Sequence, residues 1–312
     1  MPRSRAALAA LPVFAALALA GGSSGAASAA HNGRIAFSHV GAGGDRFQIY
    51  TTTATGGRPR RLTTSRRFSS YAPSYSPNGR RIVFVRAYKQ SDLWTMNADG
   101  TRERRLTWTK KIGETTPAWS PDGKQIAFAI ASPSPHQGIW LVGTDGRGRR
   151  QLTVGADTSP SWSPDGRTIA FSRSGVNFPE AQIFVVPAAG GASTDLTNDP
   201  TSAYVDPAWS PDGSRILFSS DRGDPNELDL WVMNPDGSDV LQVTNTPSRS
   251  EFGPAWSPDG RRIAYSGYGT FHGASSSQLY VARANGTGRR TLTHSCGECA
   301  ALNEQPSWQP LR

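Results

Sequence analysis

Pro117-Ala-Trp-Ser-Pro-Asp-Gly123 is a phrase that this 312-residue chain repeats. The same pattern recurs at 160–166, 207–213 and 254–260, a looser copy with Tyr75 and Asn78 occupies 73–79, and Pro306-Ser-Trp-Gln-Pro310 ends the series. The aromatic positions of these copies are 44, 43, 47, 47 and 52 residues apart. A period of this length is typical of folds in which small β-sheets repeat around an axis. The sequence therefore predicts an all-β repeat architecture.

Each repeat contains four short segments of strand-like sequence. In one copy these are the segment around Trp119, Lys124–Phe128, Gly138–Val142 and a last segment that ends in Leu-Thr. The Ser-Pro-Asp-Gly turn joins the first two segments: proline presets φ, the Asp side chain accepts bonds from following amides, and Gly adopts positive φ. Four strands joined in this way predict one antiparallel propeller blade.

The repeats predict six blades. Five are complete, at 72–107, 117–153, 160–197, 207–244 and 254–293. Residues 32–63 supply three strands without a first one, and 306–310 supply a first strand with nothing after it. Pairing these two pieces removes the open sheet edge. We predict a six-bladed β-propeller of four-stranded antiparallel blades over 31–312, closed when the C-terminal strand joins the N-terminal blade.

The tryptophans follow the repeat. Five of the nine occupy the first-strand position, and Trp94, Trp140 and Trp231 occupy the third. Packing between blades explains these eight better than stacking on sugars does. Trp108 differs, because it follows the Leu106-Thr107 ending and falls in a connecting loop.

Residues 1–30 have a different composition from the repeats. Arg3 and Arg5 precede an apolar run at 6–20, and small residues end in Ala27-Ser28-Ala29. This is the pattern of a secretory signal peptide, and the run is too short to span a bilayer. We therefore expect an exported, monomeric protein without a membrane span, in the periplasm or outside the cell. Its charge falls from +9 to +7 when the two arginines are removed, and we expect an anionic envelope component or a protein as partner rather than nucleic acid.

The only cysteines, Cys296 and Cys299, form Cys-Gly-Glu-Cys after the last complete repeat. An oxidising compartment favours a small loop disulfide between them. A redox-active pair would need a strand-to-helix context, and a zinc site with His294 would lack a fourth ligand. We predict a disulfide and keep the other two as alternatives.

The repeated phrase and the Arg-Arg-Leu-Thr blade endings resemble the TolB-type, WD40-like β-propeller family over nearly the whole of 31–312. The segment Ser220–Glu227 also resembles that family's loop between second and third strands. The resemblance implies a propeller fold and an envelope binding role. TolB itself has an α/β domain before its propeller, which we do not expect in this chain. The same repeat also forms the propeller of prolyl-oligopeptidase-type peptidases, but no hydrolase domain is expected here.

Motifs for catalysis and for metal binding are scarce. The chain has no Gly-x-Ser-x-Gly elbow and no His-x-x-His spacing, so we predict no catalytic residues, metal or cofactor. Loop histidines His39, His136 and His272 could share one face of the ring, as in the His-rich metal site of propeller-type oligogalacturonate lyases, although exposed loop histidines explain them more simply. The acidic group Asp221, Asp224, Glu227 and Asp229 lacks EF-hand spacing and is better explained as a solvated loop than as a Ca²⁺ site.

Charge is distributed unevenly around the ring. Arginine pairs precede the terminal Leu-Thr in four blades, at 60–61, 104–105, 149–150 and 289–290. The blade at 72–107 has seven basic and three acidic residues, whereas the blade at 207–244 has two and seven. Such polarity orients the encounter with a charged partner. The alternative is that outer-strand arginines only protect solubility and sheet edges.

Three loops around the second blade combine basic and aromatic residues, the composition of an interface hot spot. The predicted interface patch consists of Arg66, Arg67, Phe68, Tyr71, Arg86, Tyr88, Lys89, Trp108, Lys110 and Lys111. The sequence thus favours a non-enzymatic, exported binding module. The alternative is a secreted lyase or hydrolase that acts on polysaccharide or peptide at the axial mouth of the ring, which would require at least two carboxylates or a His-metal set within reach of one ligand.

Overall fold

The computed structural model describes residues 31–312 except 42–43, 45, 110–111, 131–134, 176–177, 272–273, 294–301 and 312. The predicted disulfide between Cys296 and Cys299 lies outside these residues. The described chain forms 24 strands. They are β1 (His31–Val40), β2 (Gln48–Thr53), β3 (Arg60–Arg61), β4 (Ser69–Tyr75), β5 (Arg81–Ala87), β6 (Ser91–Asn97), β7 (Arg104–Arg105), β8 (Glu114–Trp119), β9 (Gln125–Ile130), β10 (Gly138–Gly143), β11 (Arg150–Gln151), β12 (Ala156–Trp162), β13 (Thr168–Gly175), β14 (Phe178–Pro187), β15 (Thr194–Asp195), β16 (Tyr204–Trp209), β17 (Ile216–Ser220), β18 (Asp229–Met233), β19 (Leu241–Gln242), β20 (Arg249–Trp256), β21 (Arg262–Phe271), β22 (Ala274–Arg283), β23 (Arg290–Thr291) and β24 (Leu302–Leu311).

The strands form six four-stranded antiparallel sheets, so the predicted six-bladed propeller is confirmed. Blade 1 has the order β24-β1-β2-β3, and blades 2 to 6 each contain four consecutive strands. The C-terminal strand closes the ring as predicted, because β24 pairs with β1 in a register that places Trp308 opposite Ile35 and Leu311 opposite His31. The Gln309 side chain accepts a bond from the Arg34 amide and donates to the Gly79 carbonyl oxygen of blade 2. Strand β24 therefore completes one blade and contacts the next.

The Ser-Pro-Asp-Gly turn is held by its own side chains. In blade 3 the Ser120 hydroxyl donates to Asp122 at 2.6 Å and accepts a bond from the Gln125 amide, while Asp122 accepts a second bond from the Lys124 amide. Gly123 has φ 71°, which an L side chain rarely adopts. These bonds explain why the phrase is repeated with so little variation.

Neighbouring turns also contact one another. A Cβ added to the turn glycine would lie against the turn proline of the preceding blade, at distances of 3.3, 3.3 and 3.1 Å for the pairs Gly123 and Pro77, Gly166 and Pro121, and Gly213 and Pro164. Proline and glycine in the phrase therefore shape the turn and also fit one turn against the next. We call this side of the ring the turn end. The opposite side, which carries the connections between blades and between second and third strands, is the loop end.

The core lies between blades, where the first-strand aromatics were predicted to pack. Three indole nitrogens donate to a carbonyl oxygen in the first strand of the preceding blade: Trp119 to Ser74, Trp162 to Ala118 and Trp256 to Ala208, at 3.1 to 3.2 Å. The threonine of the Leu-Thr ending is equally structural. In blade 2 the Thr107 hydroxyl accepts a bond from the Leu93 amide at 2.9 Å and donates to the buried Glu114.

Candidate functional site

Three segments at the loop end hold most of the predicted interface patch. They are the connection from blade 1 to blade 2, the loop between β5 and β6, and the connection from blade 2 to blade 3. The first two meet directly. Arg67 lies over the rings of Phe68 and Tyr88, with its guanidinium carbon 5.7 and 5.2 Å from their centroids, and the two rings are edge to face at 5.9 Å. We call Arg67, Phe68 and Tyr88 the blade-2 cluster.

Buried polar side chains fix the loop that carries the blade-2 cluster. The Gln48 amide, which is buried, donates to the carbonyl oxygens of Ser65 and Phe68, both at 3.0 Å. The Ser65 hydroxyl accepts bonds from the amides of Arg67 and Phe68. An ordered loop loses little conformational entropy when a partner binds, so the cluster is preorganised.

Trp108 is the most exposed large apolar side chain among the described residues, with 77 % of its surface accessible. The Arg105 guanidinium lies 4.0 Å from its ring centroid and is itself held by Asp92 at 2.7 Å. The Gln90 side chain donates to the Thr109 carbonyl oxygen, so the loop of Tyr88 adjoins the loop of Trp108. The structure thus brings Trp108 and the blade-2 cluster to neighbouring loops of one face.

The other residues of the predicted patch have different environments. Tyr71 packs against the core between blades 2 and 3, and burial raises its pKa. The Arg86 side chain is 9 % exposed, pairs with Glu103 at 2.7 Å and lies over Trp94, so its charge is neutralised within the blade. Arg66 and Lys89 are exposed. Lys110 and Lys111 lie outside the described residues.

The arginine pairs make contacts within the propeller, which favours their structural role over a free basic arc. Arg60, Arg150 and Arg290 donate to carbonyl oxygens of the adjacent blade, at Asp99, Ala188 and Ala54. Arg149 and Arg289 lie over Trp140 and Tyr280 and approach the buried carboxylates of Glu114 and Glu251. Most of these guanidiniums thus hold strands and neighbouring blades in place.

A second concave region lies on the axis of the ring. The residue before the repeated proline has positive φ in all six blades: Ala72 (50°), Thr116 (45°), Ser159 (52°), Asp206 (53°), Gly253 (60°) and Gln305 (55°). These residues line an axial cavity of about 390 Å³ together with Glu304. Sequence analysis overlooked both carboxylates, although Asp206 could have been noticed as the one acid at this position.

The two axial carboxylates are held differently. Asp206 accepts bonds from the Ser159 hydroxyl at 2.7 Å and from the Gly253 amide at 3.2 Å. No hydrogen bond to the Glu304 carboxylate is found within the described part of the chain. Burial in the cavity raises the pKa of both groups above the usual carboxyl range. The cavity therefore contains two carboxylates that are poorly solvated.

The residues that were weighed as metal ligands are dispersed. Asp224 accepts the Asn226 amide within its own loop, whereas Asp221 and Asp229 accept the amides of Ala203 and Thr246 in the connections between blades. His39 packs edge to face against Tyr50, and His136 lies beside Trp140. His272 and His294 lie outside the described residues. Where the structure describes the chain, it contains no group of three or more His, Cys, Asp or Glu side chains suited to a metal ion.

Comparisons with known proteins agree with this architecture. The sequence profile of the TolB β-propeller domain matches residues 25–312. The chain belongs to the TolB β-propeller family. A search of curated proteins finds no match. In the part of the chain that was searched, no helix is both long and apolar enough to cross a membrane.

Solved structures show the same fold at low sequence identity. TolB from Acinetobacter baumannii superposes with a TM-score of 0.73 at 21% identity, over 89% of this chain and 66% of that one. The TolB candidate of Agrobacterium tumefaciens gives 0.68 at 18% identity, over 87% and 98%. An oligogalacturonate lyase from Vibrio parahaemolyticus gives 0.54 at 14% identity, over 80% and 71%. The chain thus spans just under two thirds of the Acinetobacter protein, and these identities establish the fold alone.

Proposed function

We propose that this TolB-family propeller is an exported, non-enzymatic binding module that captures a protein partner from the cell envelope through its loop end around blade 2. A signal peptide at 1–30 would deliver it to the periplasm or the exterior, where the propeller would act as a monomer. Membership of a family named for an envelope protein supports this setting.

The observation that carries the proposal is the exposed aromatic and basic surface formed by the blade-2 cluster and Trp108. Tyr88 is 53 % and Trp108 77 % exposed, and each has an arginine stacked on it. Large aromatic side chains that are held rigidly and paired with arginine are the residue types that dominate binding energy at protein interfaces. Gln48 and Ser65 fix the loop without taking part in the exposed surface.

The test is capture of partners from an extract of the cell envelope by the immobilised protein. Changing Arg67, Tyr88 and Trp108 together to Ala should reduce capture about a hundredfold or more, since two or more hot-spot residues are removed. Tyr268→Ala is the matched control, because Tyr268 is also an exposed tyrosine, at 43 %, on a hairpin of blade 6. Capture that survives the triple change, or falls equally with Tyr268→Ala, would rule out this surface.

The axial cavity supports a second candidate function, because two carboxyl groups line it and the enzyme alternative calls for two carboxylates near one ligand. A carboxyl group with a raised pKa can act as a general acid, and a second carboxylate nearby can act as base or nucleophile. Asp206 and Glu304 are those groups, and lyase and peptidase propellers share the fold. An enzyme at this site would act on a polysaccharide or peptide that enters the axial mouth.

Depolymerisation assays with oligogalacturonate and with short peptides separate the two candidates. A catalytic site predicts turnover by the purified protein that is lost in both Asp206→Asn and Glu304→Gln. A binding module predicts no turnover, and it predicts that both variants still capture the partner. Activity that persists in the two variants would exclude the axial carboxylates as catalysts.

A further inference from the structure

The carboxylate of Asp92 holds the segment that presents Trp108 from two directions. One oxygen accepts a bond from the Arg105 guanidinium at 2.7 Å, and this guanidinium lies 4.0 Å from the Trp108 ring centroid. The other oxygen accepts bonds from the Thr109 amide at 3.0 Å and the Thr109 hydroxyl at 3.2 Å. We call these contacts the Asp92 bridge. We propose that Asp92 positions Trp108 to receive an apolar side chain of the protein partner, an inference that rests on the proposed function.

The Asp92 bridge is buried, whereas the indole that it supports is open on one side. The Asp92 side chain is buried, and Arg105 also donates through Nε to the Thr107 carbonyl oxygen at 2.9 Å. Bonds in two directions leave the guanidinium little freedom to rotate. Trp108 remains largely exposed although this guanidinium lies over its ring, so the opposite face of the indole is accessible to a partner.

Blade 5 contains an equivalent bridge around a different exposed residue. Asp229 accepts the Thr246 amide at 3.2 Å with one oxygen and the Gln242 side chain at 3.1 Å with the other. The exposed residue in this segment is Asn245, at the position of the tryptophan in blade 2. The bridge therefore orders the connection in both blades, and blade 2 differs by presenting a tryptophan supported by an arginine.

Hydrogen bonds and strand register establish that the two bridges are equivalent. Asp92 and Asp229 each precede a leucine whose amide donates to the threonine of the blade ending at 2.9 Å. Arg105 and Gln242 each pair with the third-strand tryptophan of their own blade. Blade 5 thus provides a control within the same molecule, with the same backbone contacts and without the aromatic ring.

The charges beneath the Trp108 ring favour an apolar side chain on its open face. The ion pair with Asp92 neutralises Arg105, so this support attracts anions only weakly. A cation on the open face would compete with the guanidinium that already interacts with the same ring. A rigid indole with one open face buries apolar area at a low cost in conformational entropy. An aliphatic, aromatic or proline side chain therefore fits this surface better than a charged group.

Fluorine NMR of the mature chain labelled with fluorotryptophan tests the positioning without a partner. The Trp108 resonance is the one that disappears in Trp108→Phe. Asp92→Ala should shift and broaden this resonance, because the ring loses its fixed support. Asp229→Ala is the matched control, since it removes the equivalent bridge of blade 5 and should leave the Trp108 resonance unchanged.

Capture of the partner from the envelope extract tests the chemistry of recognition. Asp92→Ala should weaken capture about tenfold, whereas Asp229→Ala should change it less than about twofold, because only the first variant releases the indole. Trp108→Ala should weaken capture by the same factor at ~0.05 M and ~0.5 M NaCl, because salt does not screen an apolar contact. A factor that shrinks at the higher salt concentration would show that the ring binds a charged group.

An unchanged Trp108 resonance in Asp92→Ala, or equal effects of the Asp92 and Asp229 variants, would overturn the role of Asp92. Asp92→Asn keeps an acceptor for the Thr109 amide but loses the ion pair, so it tests the same role if Asp92→Ala impairs folding, and it should also shift the resonance. If capture survives the triple variant of the blade-2 cluster and Trp108, the proposed function and the apolar contact both fail. The NMR result still decides whether Asp92 positions the ring.

Discussion

The turn end and the loop end of the ring are built from the same six blades but differ in how closely the blades resemble one another. At the turn end, Ser-Pro-Asp-Gly forms the same bonds in four successive blades, for example between Ser163 and Asp165 and between Ser210 and Asp212, all at 2.6 Å. At the loop end the residue after the Leu-Thr ending, which is Val-Thr in blade 5, is Trp108 in blade 2 and Val154 in blade 3 but a polar residue in the other blades. Uniform contacts hold the ring together, and the proposed recognition surface lies where the blades differ.

Removal of the C-terminal strand tests whether β24 closes the ring. A chain that ends at Leu302 lacks nearly all of β24, including the buried Trp308 and the pairing with β1. The loss should exceed ~5 kcal/mol, comparable with the whole stability of a domain, so cooperative unfolding should disappear from a calorimetric scan. An unchanged thermal midpoint would refute closure by this strand.

A turn glycine tests whether contacts between turns matter beyond backbone conformation. Gly79 has φ +67° and a Cβ there would be 2.0 Å from the Pro310 carbonyl oxygen, whereas Gly148 has φ +65° with nothing within 4 Å. Gly148→Ala should cost about 1 kcal/mol, from backbone strain alone. Gly79→Ala should cost ~3 kcal/mol or more, because the new methyl group would push the turn of blade 2 away from the closing strand β24. Equal losses in urea unfolding would show that the turns do not support one another.

The loop end contains a buried carboxyl group, that of Glu114, which makes stability depend on pH. Burial raises the pKa of Glu114 to about 7, against the opposing effects of the Thr107 hydroxyl and Arg149. Because the folded pKa lies above the unfolded one, near 4.5, folding retains the proton, and the free energy of unfolding should fall as pH rises from about 4.5 to about 7. The contribution of Glu114 should be on the order of 2 kcal/mol, so Glu114→Gln should make the fall shallower by about that amount and stabilise the protein at pH 8.

Asp165→Asn is the control for the pH experiment. Hydrogen bonds from the Ser163 hydroxyl and the Arg167 amide lower the pKa of this turn-end carboxyl, so it titrates below the window of Glu114. Its variant should keep the wild-type slope between pH 5 and 8. A Glu114→Gln slope equal to that of the wild type would show that Glu114 is not the group that titrates.

The smallest effect concerns the tryptophans of the repeated phrase. The Trp256 indole donates to the Ala208 carbonyl oxygen at 3.1 Å, whereas the buried Trp308 indole nitrogen has no partner among the described residues. Trp256→Phe should therefore cost about 1 kcal/mol more than Trp308→Phe in the free energy of unfolding, measured in urea. A larger loss at Trp308 would mean that ring volume outweighs the hydrogen bond between blades.

The sequence was sufficient for the fold because the repeat is a local pattern that recurs in phase. Turn, strand order and closure by β24 all follow from it. Of the predicted patch, the structure brings Arg67, Phe68 and Tyr88 into contact and places Trp108 on a neighbouring loop, because loops after equivalent strands emerge on one side of the ring. Whether this patch binds a partner stays a prediction.

What the sequence could not supply depends on contacts between distant segments. Arg86 was predicted as part of the surface, but Glu103 and Trp94 engage it within blade 2. The axial pair Asp206 and Glu304 is separated by nearly a hundred residues and meets only because the ring closes.

Hydrogen exchange on the captured complex measures most directly whether the loop end binds and the turn end does not. Partner binding should protect backbone amides at 63–70, 86–91 and 105–109, around the blade-2 cluster and Trp108. Amides of the Ser-Pro-Asp-Gly turns at 120–125, 163–168 and 210–215 should exchange at the same rate with and without partner. Protection confined to those turns, with the blade-2 loops unchanged, would contradict the assignment of structure to one end and recognition to the other.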